Sequence, residues 1–143
     1  MIINSRLSLL VRIAGAGAML LVATVTLAAQ PPGTAAASAA YSSYLKSVKS
    51  GDMDAVTAAM VPEKAAQMKA QKGSKDFPMM WGMFTTMHPA SVKVTDAHMD
   101  GNKLVMTVET TQGDKQTGTI EMQQVGGKWL VGQESYKGTM GGG

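Results

Sequence analysis

The spacing of apolar positions changes near residue 90 of this 143-residue chain. Upstream of that point apolar side chains recur three and four positions apart, which is the spacing of one helix face. Asp52 is a favourable N-cap for a short second helix, because its side chain can accept a backbone N–H bond. A first helix, predicted to end at Gly51, has its apolar face at Tyr41, Tyr44, Leu45 and Val48.

Two further helices are expected before the spacing changes. Pro62 suits the first turn of a third helix, which would run to Gly73. Asp76 could cap a fourth helix, which must end before Pro89 because the residue preceding a proline avoids helical backbone angles. The apolar face of the fourth helix is predicted to consist of Phe77, Met80, Trp81 and Phe84.

From Ser91 onward apolar and polar side chains alternate, which is the period of a half-buried strand. The alternation slips near Asp96, and this predicts a β-bulge. Three turn signals divide the region into four strands of an antiparallel meander: Asp100-Gly101-Asn102, Gln112-Gly113-Asp114 and Gly126-Gly127.

One face of this meander is polar and is predicted to be solvated. Its members are Thr107, Glu109, Thr117, Thr119, Glu121 and Gln123. The opposite, apolar face must then be covered by the upstream helices. The sequence therefore predicts an α+β protein in which N-terminal helices pack on a curved antiparallel sheet of four or more strands.

The N-terminal segment predicts export. Arg6 and Arg12 precede an uncharged run that closes on small residues, which is typical of a signal peptide at residues 1–28. Cleavage is expected after Ala28, with Ala29 as the second choice. Glycines at 15 and 17 weaken this run as a membrane-spanning helix, so no stable membrane anchor is expected after cleavage. The chain has no cysteine, which excludes lipid attachment through a thiol and any disulfide. A periplasmic or secreted location is predicted.

The rest of the chain divides into three parts. Residues 29–37 are rich in Pro and Ala and are predicted to be a linker, residues 38–138 a single domain, and residues 139–143 a flexible glycine tail.

Of the 13 basic residues two leave with the signal peptide, so 11 lysines remain against 10 acidic residues and the net charge falls from +3 to +1. A near-neutral domain without a basic cluster is not typical of a nucleic-acid binder.

Two segments of the domain resemble a known superfamily. Residues 44–68 read YLKSVKSGDMDAVTAAMVPEKAAQM, and residues 91–135 contain an Asp-Gly hairpin and the strand GGKWLV. They are similar to the opening helices and closing strands of small bacterial domains of the nuclear-transport-factor-two-like superfamily. The resemblance covers about residues 38–137 and implies a cone-like α+β fold, often enclosing a small apolar pocket. Because the superfamily includes isomerases, dehydratases, dimerisation modules and exported proteins of uncharacterised function, it implies no single activity.

Two kinds of chemistry have candidate residues in the chain. An isomerase- or dehydratase-like enzyme would need a carboxylate or imidazole inside the cone, and Asp96 and His98 are the nearest candidates. A Cu(I) site would need thioether and imidazole ligands, and the candidates are Met83, Met87 and His88. Methionine also fills irregular core space, and core packing is the favoured interpretation of the methionines at 79–87.

The favoured function is binding without catalysis. An apolar pocket in the cone could take a small apolar molecule or a peptide, and a sheet face could take a protein partner or a second copy of the chain. No cofactor is predicted. The candidate pocket residues are Tyr44, Met80, Trp81, Phe84, Met106 and Met122.

Overall fold

The computed structural model describes residues 29–138, in which four helices precede four strands. The predicted signal peptide at 1–28 and glycine tail at 139–143 lie outside the described residues. The helices are α1 (Thr34–Ser50), α2 (Met53–Ala58), α3 (Pro62–Gln71) and α4 (Phe77–Met87). The strands are β1 (Val92–Asp100), β2 (Lys103–Thr110), β3 (Gln116–Val125) and β4 (Lys128–Gly138).

The strands form one antiparallel sheet in the order β1-β2-β3-β4, so each hydrogen-bonds to its neighbours in sequence. Helices cover one face of this sheet. The predicted α+β fold, with helices packed on a four-stranded antiparallel meander, is confirmed. Within residues 29–138 no helix is both long and apolar enough to cross a membrane.

Several helix ends also agree with the sequence. Gly51 follows α1 in the left-handed conformation with φ of 72°, which glycine adopts without steric penalty. The side chain of Asp52 accepts a hydrogen bond from the backbone N–H of Ala55 at 3.1 Å and caps α2. However, α1 begins at Thr34, so the last four residues of the predicted linker are helical, and Ala37 is fully buried.

The core lies between α1 and the covered face of the sheet. All four residues of the predicted apolar face of α1 are buried, and the sheet meets them with apolar side chains. Two of the pocket candidates, Met106 and Met122, are fully buried in this core. The sheet residues in the cluster include Leu104, Met106, Val108, Ile120, Met122 and Val131.

Helix α4 lies at the edge of the core and contains no buried residue. Its aromatic side chains are half-buried and stack along one side of the helix, with ring centroids 6.0 Å apart for Phe77 and Trp81 and 5.4 Å apart for Trp81 and Phe84. The interpretation of the α4 methionines as core residues is wrong. Their exposed fractions are 65% for Met79, 39% for Met80, 55% for Met83 and 70% for Met87.

The sheet contains two irregularities of register. The first lies between Val94 and Asp96 in β1 and is the predicted bulge. The second was not predicted: Glu121 pairs with Gln133 and Met122 with Val131, so Gly132 is an extra residue in β4. Because an extra residue reverses which side chains face the core, everything in β4 beyond Gly132 changes face.

Candidate functional site

The bulge at Gly132 places a carboxylate on the covered face of the sheet. Glu134 pairs with Ile120, and Tyr136 pairs with Gly118. Ile120 and Gly118 are both buried, and directly opposed residues of an antiparallel pair point to the same face. Glu134 and Tyr136 therefore point toward α1 and α4 rather than toward solvent.

Three side chains donate hydrogen bonds to the Glu134 carboxylate. The Tyr41 hydroxyl donates to Oε1 at 2.6 Å, and the Tyr44 hydroxyl donates to Oε2 at 2.8 Å. His88 Nε2 lies 3.1 Å from Oε2, and the side chains of His88 and Glu134 are only 12% and 14% exposed. Tyr41 and Tyr44 come from α1 and His88 directly follows α4, so this carboxylate joins both helices to the sheet. We call these residues and Tyr136 the Glu134 cluster.

The protonation of His88 follows from its two partners. Nδ1 lies 2.7 Å from the carbonyl oxygen of Phe84, which can only accept, so Nδ1 carries a proton. Nε2 faces a carboxylate oxygen and needs a proton for the same reason. With Glu134 ionised, His88 is therefore an imidazolium that donates from both nitrogens.

The pKa shifts have the directions that this geometry requires. Burial alone would lower the pKa of His88, but the hydrogen bond and charge of Glu134 outweigh it and raise the pKa above 6.5. Burial alone would raise the pKa of Glu134, but His88 and the two tyrosine hydroxyls outweigh it and lower the pKa below 4.5. Burial, followed by the charge of Glu134, raises the pKa of Tyr41 and of Tyr44. Both tyrosines stay neutral donors.

Tyr136 extends the cluster toward the protein surface. Its hydroxyl is hydrogen-bonded to the Tyr41 hydroxyl, whose single proton goes to Glu134, so Tyr136 must be the donor to Tyr41. Burial is the main cause that raises the pKa of Tyr136 to about 12. Gly118 makes room for this ring, since a Cβ at that position would lie 2.6 Å from Tyr136 Cε1.

A surface cleft of about 720 Å³ opens beside the Glu134 cluster. It lies between the end of α4, the start of β3 and the end of β4, and we call it the α4 cleft. Its volume falls in the range of about 300–1,000 Å³ that is usual for small-molecule sites. The lining residues are Phe84, Thr86, Met87, His88, Gln116, Glu134, Tyr136 and Gly138.

The predicted catalytic candidates do not reach this cleft. Asp96 pairs with Thr107 and His98 with Val105, so both lie on the outer face of β1, and both are exposed. The bulge between Val94 and Asp96 is the reason, because it turns Asp96 away from the core. Neither residue lies on the covered face of the sheet, where the enzyme hypothesis requires a carboxylate or an imidazole.

The predicted metal ligands are not assembled around one point. Both ring nitrogens of His88 are engaged, whereas Met83 and Met87 are exposed on α4. In the part of the chain that the structure describes, no three His, Cys, Asp or Glu side chains are grouped as metal ligands.

The predicted pocket residues are divided between different places. Tyr44 belongs to the Glu134 cluster, and Phe84 lines the α4 cleft. Met80 and Trp81 line a separate cavity of about 80 Å³ between α3 and α4. Met106 and Met122 belong to the filled core, as described above.

Sequence reasoning missed Glu134, Tyr136 and the role of Tyr41. Two signals could have found them. Tyr41 and Tyr44 place hydroxyl groups on a buried helix face, and a buried hydroxyl needs a partner. Gly132 interrupts a strand, which often marks a bulge, and a bulge there brings Glu134 to the covered face. No protein-family model matches the chain, and no curated protein is significantly similar to it.

Proposed function

We propose that this protein is an exported, non-catalytic binding domain. Its α4 cleft would hold a small molecule that is largely apolar and carries a neutral hydrogen-bond donor, such as a hydroxyl. The proposal of export rests on the sequence of residues 1–28, and the proposal of binding rests on the α4 cleft and the Glu134 cluster.

The observation that carries this proposal is the direction of the hydrogen bonds in the cluster. Tyr136 donates to Tyr41, and Tyr41 donates to Glu134, so every hydroxyl proton points inward. The Tyr136 oxygen keeps acceptor capacity at the wall of the cleft, and so does the Glu134 carboxylate, which accepts three of about four hydrogen bonds. A ligand that brings a donor would complete this pattern, whereas an acceptor-only group would not.

The remainder of the cleft favours an apolar ligand body. Phe84 contributes an aromatic ring, which packs on His88 with centroids 4.2 Å apart. Met87 contributes a flexible, polarisable thioether, a side chain that adapts to ligands of different shape. Together with the acceptors of the cluster, these groups suit an amphiphilic molecule better than a strongly charged one.

The state of Glu134 favours binding over acid–base catalysis. A general base needs a pKa near the working pH. Here three hydrogen-bond donors stabilise the ionised carboxylate and lower its pKa, and His88 has no unprotonated nitrogen. Neither group is prepared to take a proton from a substrate.

Three probes with the same ten-carbon chain test the proposal: decan-1-ol, decanoate and decyl methyl ether. Binding to the purified protein is followed by the intrinsic tryptophan fluorescence and by calorimetry. We expect decanol to bind and to protect the protein against thermal unfolding. Decanoate and the ether should bind at least about tenfold more weakly, because neither brings a donor at neutral pH.

Matched variants separate the cleft from general stability. Tyr136→Phe removes the acceptor at the cleft wall and should weaken decanol binding. Tyr44→Phe also removes one hydroxyl from the Glu134 cluster, but Tyr44 does not line the cleft, so decanol affinity should be kept. Equal binding of all three probes, or loss of decanol affinity in Tyr44→Phe but not in Tyr136→Phe, would contradict the proposal. A protein partner or a second copy of the chain would instead show as a change in molecular mass.

A further inference from the structure

Helix α4 has two chemically different sides. At about 100° per residue, the inward side is aromatic, with Phe77, Trp81, Phe84 and His88 lying within an arc of about 60°. The neighbouring side, centred about 120° away, is formed by thioethers, which lie within an arc of about 100°. We call this second side, consisting of Met79, Met80, Met83 and Met87, the thioether face.

The thioether face cannot be explained as core packing, since its four side chains are exposed. It also differs from the rest of the apolar surface. Of the 16 buried apolar residues within 29–138 three are methionines, whereas five of the six large exposed apolar residues are methionines. Within the described residues the core uses Val, Leu, Ile and Tyr besides methionine, whereas every large exposed apolar side chain except Val125 carries sulfur.

A thioether differs from a hydrocarbon side chain because its sulfur can bind a metal ion as a soft, neutral ligand. Soft ligands select soft ions such as Cu(I) and Ag(I) over hard or borderline ions. Met83 lies three positions from Met80 and four from both Met79 and Met87, so it neighbours each of them on the helix surface. Residues at these spacings have Cβ atoms about 5–6 Å apart, and two flexible thioethers can meet on one ion between them.

We propose that the thioether face is a binding site for a soft monovalent metal ion, Cu(I) or Ag(I), with Met83 at its centre. Met79 and Met80 lie one turn before Met83 and each offers it a second sulfur, and Met87 offers another from one turn after it. The site uses no nitrogen ligand, because His88 faces inward and donates to Glu134 and to Phe84. It is separate from the α4 cleft in all but Met87.

The test is an anaerobic titration of the purified protein with Cu(I) in competition with a coloured Cu(I) chelator. A parallel titration with Ag(I) is read by NMR of the methionine methyl groups. We expect one ion per chain and large shifts for the methyl groups of the thioether face. The methyl groups of Met106 and Met122, which are buried in the core, should not move. Zn(II) and Cu(II) should not compete.

Substitution by leucine distinguishes a metal site from an apolar docking surface. Met83→Leu keeps the size and apolar character of the side chain but removes the central sulfur, and should weaken Cu(I) binding by at least about tenfold. Met99→Leu is the matched control, because Met99 is 46% exposed on β1 and lies outside the face. Decanol binding should be unchanged in Met83→Leu, so the two proposals can fail independently.

Three results would overturn the metal site. Unchanged Cu(I) affinity in Met83→Leu would mean that the central sulfur is not a ligand. An equal loss in Met99→Leu would mean that copper binds to any exposed methionine. Self-association of the protein that survives Met83→Leu, with no Cu(I) withdrawn from the chelator, would identify the face as an apolar contact between copies of the chain.

Discussion

Replacing Glu134 by glutamine tests the central interaction of this structure, because the side chain keeps its size and loses its charge. The amide oxygen can take the place of Oε2 and still accept from Tyr44 and His88, but as a neutral acceptor. The amide nitrogen then takes the place of Oε1 and cannot accept from Tyr41, whose hydroxyl must turn its proton toward Tyr136. The substitution therefore weakens two buried hydrogen bonds and reverses a third.

The expected cost depends on pH through His88. A hydrogen bond to a charged group contributes about 1.5–3 kcal/mol and a neutral one about 0.5–1.5 kcal/mol. Each of the three bonds therefore loses about 1 kcal/mol when the acceptor becomes neutral, which is roughly 3 kcal/mol in total. This applies at about pH 5.5, where His88 is protonated. At about pH 8 His88 of the variant is neutral, since Glu134 no longer raises its pKa. If the amide turns over so that its nitrogen faces His88, Nε2 can accept from it while Nδ1 still donates to Phe84, and the loss should be smaller.

The measurement is urea unfolding, followed by tryptophan fluorescence and circular dichroism at both pH values. Glu121→Gln is the matched control, because Glu121 forms a half-exposed ion pair with Lys103 at 3.4 Å. Such pairs contribute at most about 1 kcal/mol. If Glu134→Gln cost less than about 1 kcal/mol at both pH values, or no more than Glu121→Gln, the Glu134 cluster would not join helices and sheet as argued.

Three further predictions concern the same framework. Because the pKa of His88 is raised in the folded protein, its stabilising contribution is complete below pH 6.5 and is lost as pH rises through the folded pKa. Because the pKa of Glu134 is lowered, its contribution is complete above pH 4.5 and is lost as pH falls through the folded pKa. The free energy of unfolding should therefore decline above pH 6.5, His88→Gln should remove this decline, and His98→Gln should keep it. Gly118→Ala should destabilise by about 1–3 kcal/mol in urea unfolding, because its Cβ would lie 2.6 Å from the Tyr136 ring. Asp52→Ala should cost about 1 kcal/mol in the same assay through loss of the cap on α2, and an unchanged midpoint would contradict the role of that bond.

The sequence was sufficient to predict the elements whose signals are local. The spacing of Tyr41, Tyr44, Leu45 and Val48 defines one helix face whatever covers it, and the structure buries all four. Gly51 and Asp52 act on the backbone within a few residues, so the break between α1 and α2 could also be predicted. Turns at Gly101 and at Gly126-Gly127 are local in the same sense, and they separate strands that pair as expected.

The exposure of α4 could not be predicted from periodicity. The helix is apolar on both sides, and such a helix is ordinarily buried. Its actual position depends on contacts from distant parts of the chain. Lys49 at the end of α1 donates to the carbonyl oxygen of Thr85 at 3.0 Å, and His88 donates to Glu134 of β4. These contacts hold the aromatic side inward and leave the methionines outside.

The two bulges decide which acidic side chains lie on the covered face of the sheet. One extra residue near Thr95 turns Asp96 to the outer face. Asp96, which an unbroken alternation would place on the inner face with Val92 and Val94, is therefore exposed. One extra residue at Gly132 has the opposite effect, because in an unbroken strand Val131, Gln133 and Ser135 would share the inner face and Glu134 would be solvated. The chemistry of this domain therefore depends on a backbone irregularity in β4, which reverses the face of every later residue in the strand. Deleting Gly132 should return Glu134 to the outer face, leave Tyr41 and Tyr44 without their acceptor, and abolish the pH dependence assigned to His88.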